Sequence, residues 1–158
     1  KENPVDFKMT SDLFFQRVAA GEILSKEIKF DVVFIDGLHL AQQTDKDIQN
    51  AFTYLKEDGF IVLHDCNPPT EWHARENYDY HNTPAQKAFL KWRCNALVQS
   101  CCIDTDWGVG ILSAKHQIGN SITSVNPFFE YYILDENRKN ELNLVDFELF
   151  KRKLLTVI

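Results

Sequence analysis

The sequence has no apolar run near the ~20 residues that a membrane-spanning helix needs, and no secretory signal pattern at its start. It has no Lys/Arg cluster either. Its 17 basic residues stand against 23 acidic ones, for a formal charge of −6 at pH 7. A surface of that sign repels phosphate, so neither a nucleic acid nor an anionic membrane is an expected partner. The four cysteines, Cys66, Cys94, Cys101 and Cys102, make no CxxC pair, and adjacent Cys101 and Cys102 have poor geometry for bridging each other. Reduced, mostly buried thiols in a cytoplasmic protein are therefore expected. The Gly-x-Ser-x-Gly elbow, the P-loop, HExxH and zinc-binding CxxC patterns are all absent, which argues against the enzyme classes built on them.

What remains is an ordinary globular composition, 44% hydrophobic and 25% charged over 158 residues. That length carries one domain with a real core and is short for two. No repeat, low-complexity tract or linker divides residues 1–158, so a single α/β domain is expected.

Val5–Met9 alternates apolar and polar residues as a half-buried strand does. Thr10-Ser11-Asp12 supplies capping chemistry for a helix from about Asp12 to Ala20, closed by Gly21. Asp31–Asp36 is apolar and β-branched and ends in Asp-Gly, the pattern of a strand buried on both faces. Leu40, Thr44, Ile48, Ala51 and Leu55 fall on one helical stripe, stopping in a Lys56–Gly59 turn. Phe60–Asp65 is a second buried strand, so strand, helix and strand make a right-handed parallel crossover. Polar, turn-rich residues follow to Thr83, and a helix spans about Pro84 to Arg93. Ala96–Ile103 and Trp107–Leu112, joined by only Asp104-Thr105-Asp106, must form an antiparallel hairpin. An aromatic segment at Phe128–Leu134 and an amphipathic helix near Leu144–Leu155 close the chain.

Ligands of open parallel α/β sheets bind beyond the carboxyl ends of the strands. Two strands here end in polar residues, Asp36-Gly37-Leu38-His39 and His64-Asp65-Cys66-Asn67. If those strands are neighbours, Asp36 and Asp65 stand side by side, and two such carboxylates repel unless a cation or a shared proton sits between them. Oxygen ligands on short side chains suit Mg²⁺ or Mn²⁺. The alternative is that Asp36 opens a turn and Asp65 caps a loop. His39, three residues past Asp36, is a general base or a local hydrogen-bonding residue. His73 and His81 share the polar loop with Trp72, Tyr78 and Tyr80, as a substrate-contacting lid or a wet surface. His116 is expected at the surface, and Cys66 as packing rather than a nucleophile.

Phe30–His39, then Gly59–Glu71 with its Leu-His-Asp-Cys-Asn-Pro-Pro run, resemble a bacterial branch of the class I S-adenosylmethionine-dependent methyltransferases. Asp104–Leu112 resembles that branch's closing hairpin, and Glu141–Leu144 the approach to its terminal helix. The resemblance implies a Rossmann-like, mostly parallel sheet in the order 3-2-1-4-5-7-6 with a C-terminal antiparallel hairpin. The chain would supply strands three to seven. Thr10, Ser11 and Asp12 match the segment near the cofactor's adenine, and Asp36 with Gly37 the acidic turn after strand four. In metal-dependent relatives that methylate macrolide sugars, and in catechol O-methyltransferases, that turn and the end of strand five bind Mg²⁺; in the sugar-methylating relatives a histidine matching His39 is the proposed base. Where those relatives have Glu-Asp, this chain has His64-Asp65, and imidazole is a poorer partner for Mg²⁺ than carboxylate. Mn²⁺, another ion or none is then left open.

The chain opens on Lys1. The first two strands, with the glycine-rich loop that holds the cofactor, are expected upstream, so the 158 residues alone are expected to be inactive. The resulting expectation is methyl transfer from S-adenosylmethionine to a hydroxyl of a small molecule, with Asp36, His64 and Asp65 as metal ligands. A non-catalytic α/β interaction module and a metal-dependent hydrolase are the alternatives. Without the upstream strands, either Val5–Met9 is expected to move in against Val32–Ile35, or two chains to join across that edge as a homo-oligomer.

Overall fold

The computed structural model describes residues 5–75, 85–122 and 126–157. Helix α1 (Ser11–Ala20) begins where Thr10, in extended backbone, turns its hydroxyl onto the Leu13 N–H at 3.3 Å. It ends at Gly21, whose left-handed φ of 72° lets the Glu22 N–H reach back to the Arg17 carbonyl at 2.9 Å. Strand β1 (Phe30–Ile35), helix α2 (Ala41–Tyr54) and strand β2 (Leu55–Leu63) form the expected parallel crossover, with Ile35 paired to Leu63. The apolar stripe of α2 buries Thr44, Ile48 and Ala51, and also Asp47.

Helix α3 (Ala85–Arg93) leads into strands β3 (Gln99–Ile103) and β4 (Val109–Ser113), an antiparallel hairpin as the short connection demands. Short helices α4 (Tyr131–Glu136) and α5 (Arg138–Glu141), strand β5 (Leu144–Val145) and helix α6 (Phe147–Val157) complete the fold. The sheet order is β1-β2-β4-β3-β5. Its first four members reproduce the 4-5-7-6 part of the order that the resemblance implies.

Alternation along β2 divides the core in two. Ile61 and Leu63 pack with Ile48, Ala51 and Phe89 under α2 and α3, while Phe60 and Val62 pack with Ile111, Val145 and Phe150 under α6. The strands therefore fix which residues leave the sheet at its carboxyl edge.

Several expectations are corrected. Val5–Met9 is not a strand: Val5 and Phe7 are exposed, the Met9 N–H closes on the Phe7 carbonyl at 3.1 Å, and Phe7 packs on Phe14. Alternation over five residues is a weak signal, and local turn and aromatic contacts override it. Nothing among the described residues pairs with the outer edge of β1. This strand is not buried on both faces, for Val32 and Phe34 are 55% and 60% exposed. The sheet is mixed rather than mostly parallel, with two parallel and two antiparallel pairings. Lys56–Gly59 is no separate turn. β2 starts at Leu55, and the register with β1 jumps from Phe30↔Leu55 to Val32↔Phe60. The C-terminal helix starts at Phe147, because Leu144 and Val145 add to β3 as β5, and Asp146 then caps the Leu149 N–H at 2.8 Å. Pro84, Tyr78, Tyr80 and His81 lie outside the described residues.

Candidate metal and cofactor site

Because β1 and β2 run parallel in register, their polar ends leave the sheet together. Asp36, His64 and Asp65 each offer one ligand-type atom at this edge, and those atoms all lie within 4.8 Å of one another. The His64 Nδ1 stands 3.6 Å from Asp36 Oδ1 and 3.2 Å from Asp65 Oδ1. On the turn into α2, His39 brings its Nε2 to 3.6 Å from Asp36 Oδ1 and 3.3 Å from Asp65 Oδ2. Both histidine side chains are half-buried, while the Asp65 side chain is almost fully covered.

The electrostatics match that crowding. Burial holds the Asp65 carboxyl above the usual carboxylate range, with His64 and His39 pulling against that and Asp36 adding to it. Burial pulls the His64 imidazole down, but the Asp65, Asp106 and Asp36 carboxylates outweigh it, and the ring sits above its ordinary value. Asp65 also adopts a left-handed φ of 62°, unusual outside glycine. Two carboxylate oxygens and one imidazole nitrogen make a mixed hard and borderline donor set, which suits Mn²⁺ or a similar divalent ion better than Mg²⁺.

A cavity of about 640 Å³ opens beside this cluster. Thr10, Ser11 and Asp12 from the start of α1 line one wall, and Asp36 and Gly37 the other, so all five residues expected around a cofactor meet at one space. That volume lies within the range of small-molecule sites. Gly37 is not left-handed, and a Cβ there would meet no atom within 4 Å, so the glycine leaves backbone open to the cavity rather than serving the packing. Gln43 ties the wall together, donating to Asp12 Oδ1 at 3.0 Å and Asp47 Oδ1 at 3.1 Å.

Of the other residues singled out, His73 accepts or donates to Thr70 Oγ1 at 2.7 Å and meets the Trp107 ring edge-on at 4.8 Å. His116 stacks on Phe60, 4.8 Å between ring centres, away from the site. All four thiols are free; Cys66 is fully buried, and burial pushes its thiol far up, which fits packing rather than attack. The residue that sequence reasoning missed is Asp106, whose Oδ2 lies 3.2 Å from the His64 Nε2. Its place in a three-residue hairpin connection gave no hint of that contact.

Residues 7–66 match a family model described as a methyltransferase domain. The match spans α1 through the end of β2 and contains Asp36, His39, His64 and Asp65. It supports a methyltransferase domain, and with it methyl transfer and a cofactor of the S-adenosylmethionine type in general terms. No curated protein sequence matches the chain.

Proposed function

We propose that this chain carries the acceptor side of an S-adenosylmethionine-dependent O-methyltransferase, assisted by a divalent metal and acting on a hydroxyl of a small molecule. The observation that carries the reading is the convergence of Asp36, His64 and Asp65 within 4.8 Å beside a cavity lined by Thr10, Ser11, Asp12 and Gly37. When bound, the cofactor supplies an electrophilic methyl carbon, and the ion, preferably Mn²⁺ and otherwise Mg²⁺, supplies positive charge that acidifies a hydroxyl.

Asp36, His64 and Asp65 are the residues that would hold the ion. The proton of the acceptor hydroxyl goes to His39 at Nε2, which faces the Asp36 and Asp65 carboxylates. Methyl transfer is an in-line displacement, so the main task of the fold is to hold acceptor and donor in line. The parallel pairing of β1 and β2 supports this by fixing both strand ends at one edge. Among the described residues no helix is long and apolar enough to cross a membrane. Free thiols favour a reducing compartment, and we assign the protein to the cytoplasm as a single domain, with neither nucleic acid nor membrane as partner. The open edge of β1 leaves a homo-oligomer as the remaining association to test.

The test is transfer of isotope-labelled methyl by the full-length protein to a panel of sugars and phenols, with Mn²⁺ and with chelator. Label on an oxygen that chelation abolishes is expected. Label on nitrogen or carbon, chelator-insensitive transfer, or metal-dependent hydrolysis without label would contradict the reading.

A further inference from the structure

Asp106 takes no part in the chemistry proposed above, yet its carboxylate is aimed at the far side of the one imidazole in the ligand set. We infer that Asp106 is a positioning residue that accepts the Nε2 proton of His64 and so presents a bare Nδ1 to the ion between Asp36 and Asp65. The inference rests on the metal reading of that site.

A neutral imidazole carries its proton on one nitrogen only, and a metal ligand must offer the other as a lone pair. Here the two nitrogens face different groups. Nδ1 is 3.6 Å from Asp36 Oδ1 and 3.2 Å from Asp65 Oδ1, whereas Nε2 is 3.2 Å from Asp106 Oδ2. An acceptor at Nε2 selects the tautomer in which Nδ1 is free to ligate, and it fixes the plane of the ring.

The backbone holds Asp106 there at some cost. Asp106, Trp107 and Gly108 are left-handed in succession, with φ of 43°, 62° and 87°. The turn they make is strapped to the residues just after Asp65: the Cys66 N–H donates to the Gly108 carbonyl at 2.9 Å and the Asn67 N–H to the Trp107 carbonyl at 2.7 Å. A Cβ at Gly108 would collide with Asn67, so only glycine lets the two segments approach this closely. The Asp106 side chain is itself 74% exposed. A pair that open to water adds little to stability, so the contact of Asp106 with His64 is better explained by orienting the ring than by holding the fold.

Calorimetric titration with Mn²⁺ of the wild type and of D106A, D106G and D106N tests this, alongside long-range ¹H–¹⁵N spectra of His64 with Mg²⁺. Glycine and asparagine both tolerate the left-handed backbone, which separates loss of the carboxylate from damage to the turn. D106A and D106G are expected to bind Mn²⁺ about 10–100-fold more weakly. D106N should recover part of the loss, because its amide oxygen still accepts. His64 should carry its proton on Nε2 in the wild type and lose that preference in D106G. Wild-type affinity in D106G, or a wild-type His64 protonated on Nδ1 with the ion bound, would overturn the role of Asp106 and leave the metal site standing. A wild type that binds no Mn²⁺ would instead overturn the metal reading, and this proposal with it.

Discussion

Arg93 and His64 are both chargeable side chains held against the same sheet, and their surroundings are opposites. Arg93 is fully buried and makes five hydrogen bonds among the described residues, to the Ser100 hydroxyl and to the carbonyls of Ser100, Asn120, Asn140 and Glu141. Burial lowers its guanidinium to about 10, which leaves it charged at neutral pH. Those acceptors come from β3, from the loop after β4 and from the end of α5, so one side chain ties together segments far apart in sequence. His64 is half-exposed, sits among three carboxylates, and is flanked by residues in strained backbone. A satisfied buried network serves stability, whereas a crowded and strained cluster at a strand end marks a candidate functional site.

The largest effect is expected from breaking the first member of that pair. Arg93→Met keeps the length of the side chain and removes five hydrogen bonds at once, costing about 3–5 kcal/mol at roughly 1 kcal/mol each. Denaturant unfolding should show a midpoint far below wild type, and an unchanged midpoint would remove Arg93 from its structural role. His39→Ala should do the reverse. In the full-length protein it should lower turnover by about two to four orders of magnitude, while cofactor affinity and the unfolding midpoint stay near wild type. Undiminished turnover would return His39 to local hydrogen bonding.

The smallest effect is electrostatic and belongs to the metal-free chain. Asp65 and His64 both hold protons more tightly when folded than their ordinary values imply, so the folded state binds more protons than the unfolded one. Stability then falls as pH rises, first from about 4 through the raised value of Asp65, and again from about 6.5 through the raised value of His64. With chelator present, the melting temperature should be a few degrees lower at pH 8 than at pH 6. Asp65→Asn, which tolerates the left-handed backbone, should flatten that slope by removing one titrating group and the nearest charge acting on the other. A slope identical in the variant would contradict the assignment.

Much of this was readable in the sequence because it is local. Thr10 and Gly21 mark the ends of α1, the β-branched run marks β1, and the Thr44, Ile48, Ala51 stripe marks the inner face of α2. Two strands ending in aspartate, joined by one helix, sufficed to bring Asp36 and Asp65 to one edge. What could not be read depends on partners distant in the chain. Val5–Met9 alternates but finds no strand to pair with, and β5 is two residues long and exists only because β3 offers an edge. Arg93 marks only the end of a helix in the sequence, and its acceptors come from β3, α5 and the loop after β4. Asp106 reads as a turn former until hydrogen bonds from Cys66 and Asn67 draw its turn against His64.

The central claim is that Asp36, Asp65 and the Nδ1 of His64 hold one divalent ion. Electron spin echo spectroscopy on the chain titrated with Mn²⁺ tests it most directly, since it reads the ligands and not the activity. The account predicts one bound Mn²⁺ per chain with nitrogen modulation from a single imidazole, abolished in His64→Ala, and loss of the bound ion in Asp36→Ala. No bound ion in the wild type, or nitrogen modulation that survives His64→Ala, would contradict it.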